Sequence, residues 1–422
     1  MTQPAVQPPA SPASPGSPAS RADCLALDAA DPLAPLRAEF ALPKDRIYLD
    51  GNSLGVLPVR TPELVRRTVE QEWGQGLITS WNEAGWVDLP FTLGAQLAPL
   101  IGAGGHEVLV CDSVSVNLFK VLTAALRLRP GRRTVLGERT TFPTDLYIAE
   151  GVTGLFEGGR TVLLDSLDEL DARLTEDVAV VVLSQVDYRT GVLLDLAEIT
   201  ERVHRAGALM VWDLCHSAGA LPIELAAAGV DFAVGCTYKY LNCGPCAPSY
   251  LYVAERHQGV AEQPLTGWFG HAEPFAFVPE YRPADGIGRF LTSFPPLLAL
   301  AGVRASLEVW QQVDLAQVRA KSLALTGLFM DRLAELDVVT PREPERRGSQ
   351  VAIRHPDGFP VVQALIERGV IGDFRAPDLM RFGFTPLYTS YTEAWDAAEA
   401  VREVLASGEW RAERFSRRGA VT

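Results

Sequence analysis

Lysine is nearly missing from this chain. Of 38 basic residues only four are lysine, against thirty-four arginines, so each remaining lysine needs a reason. No apolar run approaches the roughly eighteen residues of a membrane span, which sets aside a spanning helix. Six cysteines in 422 residues are too few for a disulfide framework, and the expected setting is a reducing cytoplasm. Basic clusters are missing as well, since Arg346-Arg347 and Arg417-Arg418 are short and isolated. With a net charge of -14 and a pI near 5.0, neither nucleic acid nor an anionic membrane surface is an expected partner.

What is present is ample apolar material, 47% of the residues. At this length one core does not suffice, and two domains in close contact are expected. Residues 1–31 are Pro/Ala/Ser-rich, with the run Ser-Pro-Ala-Ser-Pro-Gly-Ser-Pro. They lack the basic start and apolar stretch of a signal peptide and read as a disordered arm. Residues 32–58 are expected to pack across both domains. Residues 59–296 form the larger one, and 297–422 a smaller α+β domain.

Helical spacing is clear over Pro58–Trp73, Asn117–Arg129, Leu196–Ala206, Leu297–Gln312 and Thr392–Leu405. Short apolar runs alternate with these helices at Thr134–Gly137, Thr161–Leu164, Val178–Ser184, Ala208–Asp213, Phe232–Thr237 and Ser249–Val253. That alternation predicts an α/β fold, a mostly parallel sheet covered by helices on both faces. Weaker strands follow around Val351–Ile353 and Leu379–Gly383. In such sheets the chemistry gathers at the carboxyl ends of the strands, where Ser184, Asp213 and Lys239 fall.

Lys44 lies in a Pro-Lys-Asp-Arg turn, while Lys120 and Lys321 lie in amphipathic helices; all three are expected to be solvated. Lys239 differs. It closes the apolar run Asp231-Phe-Ala-Val-Gly-Cys-Thr-Tyr-Lys, a setting that desolvates an ammonium and favours the neutral amine a Schiff base requires. A strand-end lysine snorkelling to the surface is the plainer reading of that residue alone. Asp213 closes the strand before it, and the spacing lets both side chains meet in one cleft. A lysine facing a buried acid is the pairing pyridoxal phosphate needs: an imine-forming amine, and a carboxylate that keeps the pyridine nitrogen protonated. A helix N-cap is the alternative for Asp213. Cys111-Asp-Ser-Val-Ser-Val-Asn117 runs into a helix, so backbone N–H groups and the Ser115 hydroxyl can face an anion. Ser before a helix is otherwise an ordinary cap.

Four ordered motifs carry a resemblance: Tyr48-Leu-Asp-Gly-Asn-Ser-Leu-Gly55, Trp212-Asp-Leu-Cys-His-Ser-Ala-Gly219, Tyr238-Lys-Tyr-Leu-Asn242 and Gly267-Trp-Phe-Gly-His271. Together they resemble the kynureninase family of fold-type-I pyridoxal phosphate enzymes, relatives of aspartate aminotransferase, over about Tyr48 to Tyr388. The resemblance implies that Lys239 bonds the cofactor aldehyde, that Asp213 faces the pyridine nitrogen and that His216 lies near the ring. It implies phosphate contacts at Val114 and Ser115, a stacking ring at Phe142 with Asp145 close by, and further cofactor contacts at Ser184 and Tyr238. Trp268 matches a residue that a partner subunit contributes, which implies a homodimer with shared sites. Arg381 matches the residue that grips the α-carboxylate of an amino-acid substrate, a task suited to a guanidinium fork. Where some relatives carry Asn or Thr before the Pro pair, this chain has Phe294, and either Ser293, a backbone N–H or nothing replaces that contact. The implied reaction is hydrolysis of L-kynurenine, or its 3-hydroxy form, to an anthranilate and L-alanine, in tryptophan degradation or NAD synthesis. Tyr238 is a secondary candidate for relaying protons.

Two rival readings stay open. A cysteine desulfurase on the same fold stacks histidine on the ring and uses a mobile cysteine in the C-terminal half; here Phe142 stands at that position and no cysteine follows Cys246. A non-catalytic pyridoxal-phosphate-binding regulator needs an added DNA-binding or effector module. Cys243-Gly-Pro-Cys246 has the thioredoxin spacing, but a strand follows it where redox chemistry needs a helix, so it reads as a turn. Cys215 and Cys236 do not complete zinc spacing. His106, His204 and His257 read as structural or solvated, and His271 either approaches substrate or is exposed. Trp81 and Trp86 either pack or line a pocket for an aromatic ring.

Overall fold

The computed structural model describes residues 18–417. Its centre is a seven-stranded sheet in the order Val108–Val110, Tyr250–Val253, Phe232–Gly235, Leu209–Asp213, Val178–Ser184, Thr134–Glu138, Arg160–Leu164. The last five are mutually parallel. Tyr250–Val253 runs against both its neighbours. Successive residues point to opposite faces, which splits the apolar strands into two cores. Leu136, Val181, Leu183, Met210 and Trp212 fill one face; Val135, Val180, Val182, Leu209 and Val211 fill the other. Helices Val114–Arg127, Pro143–Thr153 and Leu196–Arg205 connect these strands, as a parallel arrangement demands. The short edge strand Val108–Val110 adds to the expected strands.

The other sheet has four antiparallel strands in the order Asp373–Arg375, Leu379–Gly383, Gln350–Arg354, Asp337–Val338. Helices Leu315–Arg332, Gly358–Glu367 and Tyr391–Ser407 cover it around Phe329, Val351, Leu365, Phe382 and Val401. Helix Leu297–Trp310 does not join this core. Its Leu300, Val303 and Leu307 pack with the large sheet, as does Val318, whereas Leu325 belongs to the small core. The change of core therefore falls inside Leu315–Arg332, not at residue 297. The 32–58 stretch touches both cores, with Leu33, Phe40 and Val56 on one and Leu49 on the other. Its Ile47–Tyr48 pairs in parallel with Val370–Ile371.

Three expectations need correction. The arm does not extend to residue 31, because Arg21–Ala30 is an α-helix; residues 1–17 lie outside the described residues. Ser20 and Asp23 form a capping box, which satisfies the first N–H groups. Cys24 is fully buried, Asp28 accepts from the Tyr391 and Thr392 backbone N–H groups at 2.6 and 3.1 Å, and Arg21 pairs with Asp396 at 2.7 Å. The Pro/Ser bias ends where this cap begins. Second, Lys120 and Lys321 are not solvated. Lys120 is 0% exposed, with its ammonium 2.5 Å from Asp112 and 2.6 Å from the Phe290 carbonyl. Lys321 meets Asp31 at 2.7 Å and the Pro386 carbonyl at 2.6 Å. An amphipathic period reveals spacing, not whether a charged position finds a buried partner. Third, Pro58–Trp73 is not one α-helix. After Thr61–Arg67 it widens to a π-type turn over Thr68–Trp73, with Gly74 N–H reaching the Val69 carbonyl at 2.9 Å. Among the described residues no helix is long and apolar enough to cross a membrane.

Candidate functional site

A cavity of about 540 Å³ opens at the carboxyl ends of the parallel strands. Ser184 and Asp213 close neighbouring strands directly opposite one another, and the turn after Phe232–Gly235 brings Tyr238 and Lys239 to the same mouth. Val114, Ser115, Phe142, Asp145, Ser184, Asp213, His216, Tyr238 and Lys239 all line it. Nine of the twelve positions picked from the sequence are thus gathered in one place.

Asp213 is held by its own turn: one oxygen accepts from the Cys215 N–H at 2.7 Å and the other from the Ser184 hydroxyl at 3.5 Å. Asp145 enters from the first turn of Pro143–Thr153 and is 1% exposed, with Oδ2 lacking any hydrogen-bond partner. Burial, then the Asp213 charge and a hydrogen bond shared with it, hold Asp145 well above the usual carboxylate range; Lys239 pulls the other way without prevailing. Asp145 is therefore the member of this close carboxyl pair whose charge its surroundings disfavour. His216 is driven well below its ordinary value by burial and by the Lys239 and Arg381 charges. Its ring is neutral, with Nδ1 2.9 Å from Gln350 Oε1 of the smaller sheet. Burial likewise pushes the Tyr238 hydroxyl up.

Lys239 is half-buried, its Nζ 6.0 Å from the centroids of both Phe142 and Tyr238. The Phe142 ring is 42% exposed and meets Tyr188 edge-on at 5.2 Å. The opposite end of the cavity is the start of helix Val114–Arg127, where the Ser113 side chain caps the Val116 N–H at 3.3 Å. Buried Lys120 fixes Asp112 just before it. Gly55 lets the Tyr48–Gly55 loop lie against the lysine turn: its N–H reaches the Tyr238 carbonyl at 2.7 Å, and a Cβ there would stand 2.4 Å from the Lys239 carbonyl.

Three positions lie elsewhere. Arg381 is 1% exposed and sits behind the wall formed by Ser53 and Tyr188, hydrogen-bonded to both. Trp268 is 43% exposed among Phe269, Phe275 and Phe277. Phe294 packs edge-on to Trp81 at 4.9 Å and tilted against Phe269, so within this chain it lines an aromatic cluster and not the cavity. His271 is buried, not exposed, and its Nδ1 accepts from the Glu273 N–H at 2.8 Å.

Sequence reasoning missed Asp112, Ser53, Tyr188 and Cys246 in the lining. Ser53 lies inside the Tyr48–Gly55 motif, and Cys246 ends a turn whose context does not suit redox chemistry. Tyr188, in an irregular loop, carries no signal.

A family model described as the kynureninase C-terminal domain matches residues 318–401. The chain is similar to the kynureninase of Pseudomonas fluorescens, 51% identical over 411 residues, covering 95% of this chain and 99% of that one. It is also similar to the kynureninase of Burkholderia pseudomallei (strain K96243), 49% identical over the same shares. Among solved structures it resembles a cysteine desulfurase from Thermococcus onnurineus NA1, with TM-score 0.75 at 18% identity, covering 88% of this chain and 98% of that one. C-DES, solved with glycine covalently linked to its PLP cofactor, also matches at TM-score 0.75 and 19% identity, over 86% and 98%. These two likenesses speak to the fold alone.

Proposed function

Because this chain belongs to the kynureninase family, we infer that it is a pyridoxal-phosphate-dependent hydrolase of a carbon–carbon bond. It splits the Cβ–Cγ bond of L-kynurenine with one water to give anthranilate and L-alanine. The observation that carries this reading is near-full-length identity of about half joined to the meeting of Lys239, Asp213 and Asp145 in one cavity.

The residues present fit the cofactor. A cavity of about 540 Å³ presents N–H groups and the Ser115 hydroxyl at a helix start, where a phosphate is stabilised. The unpartnered Oδ2 of Asp145 beside Asp213 suits a ring nitrogen that needs a hydrogen-bonding acid pair. The exposed Phe142 ring offers a stacking face. When bound, pyridoxal phosphate supplies an aldehyde for the substrate amine and a ring that accepts electrons from the α-carbon. Asp213 would hold a proton on the ring nitrogen, and His216, held well below its ordinary value, would add no competing charge. Lys239, half-buried and 6.0 Å from the Phe142 and Tyr238 ring centroids, moves a proton at the substrate α-carbon. Arg381 grips the substrate carboxylate, and Tyr238 and Ser184 steady the phosphate and ring ends. A relay role for Tyr238 predicts that Tyr238→Phe lowers turnover while cofactor absorbance is kept; unchanged turnover removes it.

The 3-hydroxy substrate is part of the same reading, as is a place in tryptophan degradation or NAD synthesis. So is a cytoplasmic location, supported by six unpaired thiols. So too is a homodimer in which Trp268 approaches a neighbour's cavity, supported by Trp268, Phe275 and Phe277 at 43%, 52% and 76% exposure. Contiguous exposed aromatics of this kind mark contact surfaces.

The test is direct. Purified protein with pyridoxal phosphate and L-kynurenine should develop anthranilate fluorescence, and borohydride reduction should label Lys239. Cofactor absorbance without anthranilate would overturn the reading in favour of another lyase or a binding regulator.

A further inference from the structure

Arg381 and Asp373 are directly opposed on antiparallel neighbours Leu379–Gly383 and Asp373–Arg375. Opposed side chains share a face, and here the face is dry: both residues are 1% exposed. The guanidinium meets the carboxylate fork to fork, Nε lying 2.7 Å from Oδ1 and Nη2 also bonded to Oδ2. Such a pair fixes orientation as well as charge. The same carboxylate takes a second cation, Arg375 Nη2, at 2.8 Å, and the Ser53 hydroxyl at 2.7 Å. Ser53 in turn accepts from Arg381 and Arg375 at 3.1 and 3.3 Å.

Two guanidinium groups therefore share one carboxylate, and a positive charge is left over. The nearest further acid, Asp50, is pushed up to about 7 by burial and by the Asp373 charge, so at neutral pH it cancels only part of that excess. The remaining Arg381 nitrogen, Nη1, donates to the Tyr188 carbonyl. Both Ser53 and Tyr188 line the cavity. The uncompensated charge thus stands directly behind the two wall residues, with Nη1 bonded to Tyr188 and Nη2 to Ser53.

We propose that Asp373 is a positioning residue for carboxylate recognition. It clamps the Nε–Nη2 edge of Arg381 so that Nη1 is held against the wall residue Tyr188, from where the fork acts on a carboxylate in the cavity, while Arg375 supplies the second cation that keeps the clamped pair attractive to an anion. This rests on the reading of Arg381 as the carboxylate-binding residue. A purely structural ion pair would give a different pattern, because its loss would weaken every ligand or none.

The test compares L-kynurenine with kynuramine, the same molecule without its carboxylate, as a competitive inhibitor of the holoenzyme. Asp373→Asn should raise KM for L-kynurenine by about 10- to 100-fold, the scale of a misplaced binding group. It should leave kcat within about threefold and the kynuramine inhibition constant unchanged, since misdirected carboxylate binding is lost equally from ground and transition states. Asp373→Glu should recover most of the loss. If KM is unchanged, or kynuramine weakens in parallel, the proposal is overturned. Arg375→Gln, which keeps the clamp but removes the excess charge, serves if Asp373→Asn does not fold; it should raise KM by about 10-fold with kynuramine again unaffected, and parallel weakening would overturn the proposal equally. Arg381→Ala separates the two ideas. If that variant still prefers L-kynurenine over kynuramine as the parent does, the carboxylate role of Arg381 fails; if it loses the preference while Asp373→Asn keeps it, only the clamp fails.

Discussion

The two ends of one sheet handle the same residue types in opposite ways. At the amino end, Asp231 precedes Phe232–Gly235 and is saturated: His204 and His257 reach it at 2.7 Å, Arg256 at 2.7 Å, and the Met210 N–H at 2.8 Å. At the carboxyl end, Asp145 keeps an oxygen without a partner, and among the described residues no ion pair engages Lys239. Burial tends to push both acids up. At Asp231 the histidine hydrogen bonds outweigh it and hold the carboxyl far below its usual range, whereas at Asp145 nothing does. Charges that are fully partnered stabilise; charges left short of partners are available to a ligand. The amino end holds the strands together and the carboxyl end is kept free for chemistry.

The sharpest way to break this contrast is to remove one charge from each end. Lys239→Ala should lower kcat by at least about 10³-fold, the scale of a lost acid–base group, yet with cofactor omitted its melting temperature should match the parent, since no ion pair is lost. Asp231→Asn should do the reverse. Leaving His204, His257 and Arg256 around a neutral amide should cost about 3 kcal/mol, seen in denaturant unfolding, while turnover per folded molecule stays within about twofold. A large stability loss in the lysine variant would show that the carboxyl end is structural after all.

Acid and base should separate the ends without mutation. A carboxyl held low in the fold contributes stability above its unfolded value of about 3.9, and that contribution fades as pH falls through the folded value. Asp231 therefore favours the fold at neutral pH and is lost in strong acid. A carboxyl held high has the opposite sign: its contribution is complete below about 3.9 and fades as pH rises through the folded value. Asp50, at about 7, follows the second pattern, so the parent should lose stability between about pH 4 and 7 and level off above. Asp50→Asn should flatten that decline in a series of thermal melts; an unchanged slope would mean Asp50 is ionised throughout.

The contrast also explains what could be read from residues alone. Asp213 and Lys239 were legible because a charge ending an apolar strand violates the pattern around it, and the strand–helix alternation places both at one edge. Lys120 and Lys321 broke no visible rule. Their positions fit an amphipathic helix, and their partners, Asp112 and Asp31, come from turns whose approach no spacing encodes. Tyr188 was invisible for the same reason, as a loop residue brought in by the fold of other segments, whereas Ser53 lies in a motif that marked the loop without marking the residue. For Arg381 a carboxylate-binding role is only what the resemblance implies, and its place behind the wall depends on strand register with Asp373, which composition does not carry.

Asp145→Asn gives the smallest expected effect and the finest test. An asparagine keeps the shape of the protonated acid and still donates an N–H toward Asp213, so it mimics the native form while abolishing ionisation. Asp145 lies well above the usual range, so its contribution to the fold fades as pH rises from about 3.9 towards the folded value. The variant should match the parent at about pH 3 and be the more stable by about 1 kcal/mol or more at neutral pH, because the unfolded carboxyl ionises from about 3.9 upward while the folded one resists. The same amide should leave cofactor affinity within about threefold, because the hydrogen bond to Asp213 survives. If the variant instead loses stability at both pH values, Asp145 is an ionised, satisfied carboxylate, and the two ends of the sheet do not differ in the way their hydrogen bonds say they do.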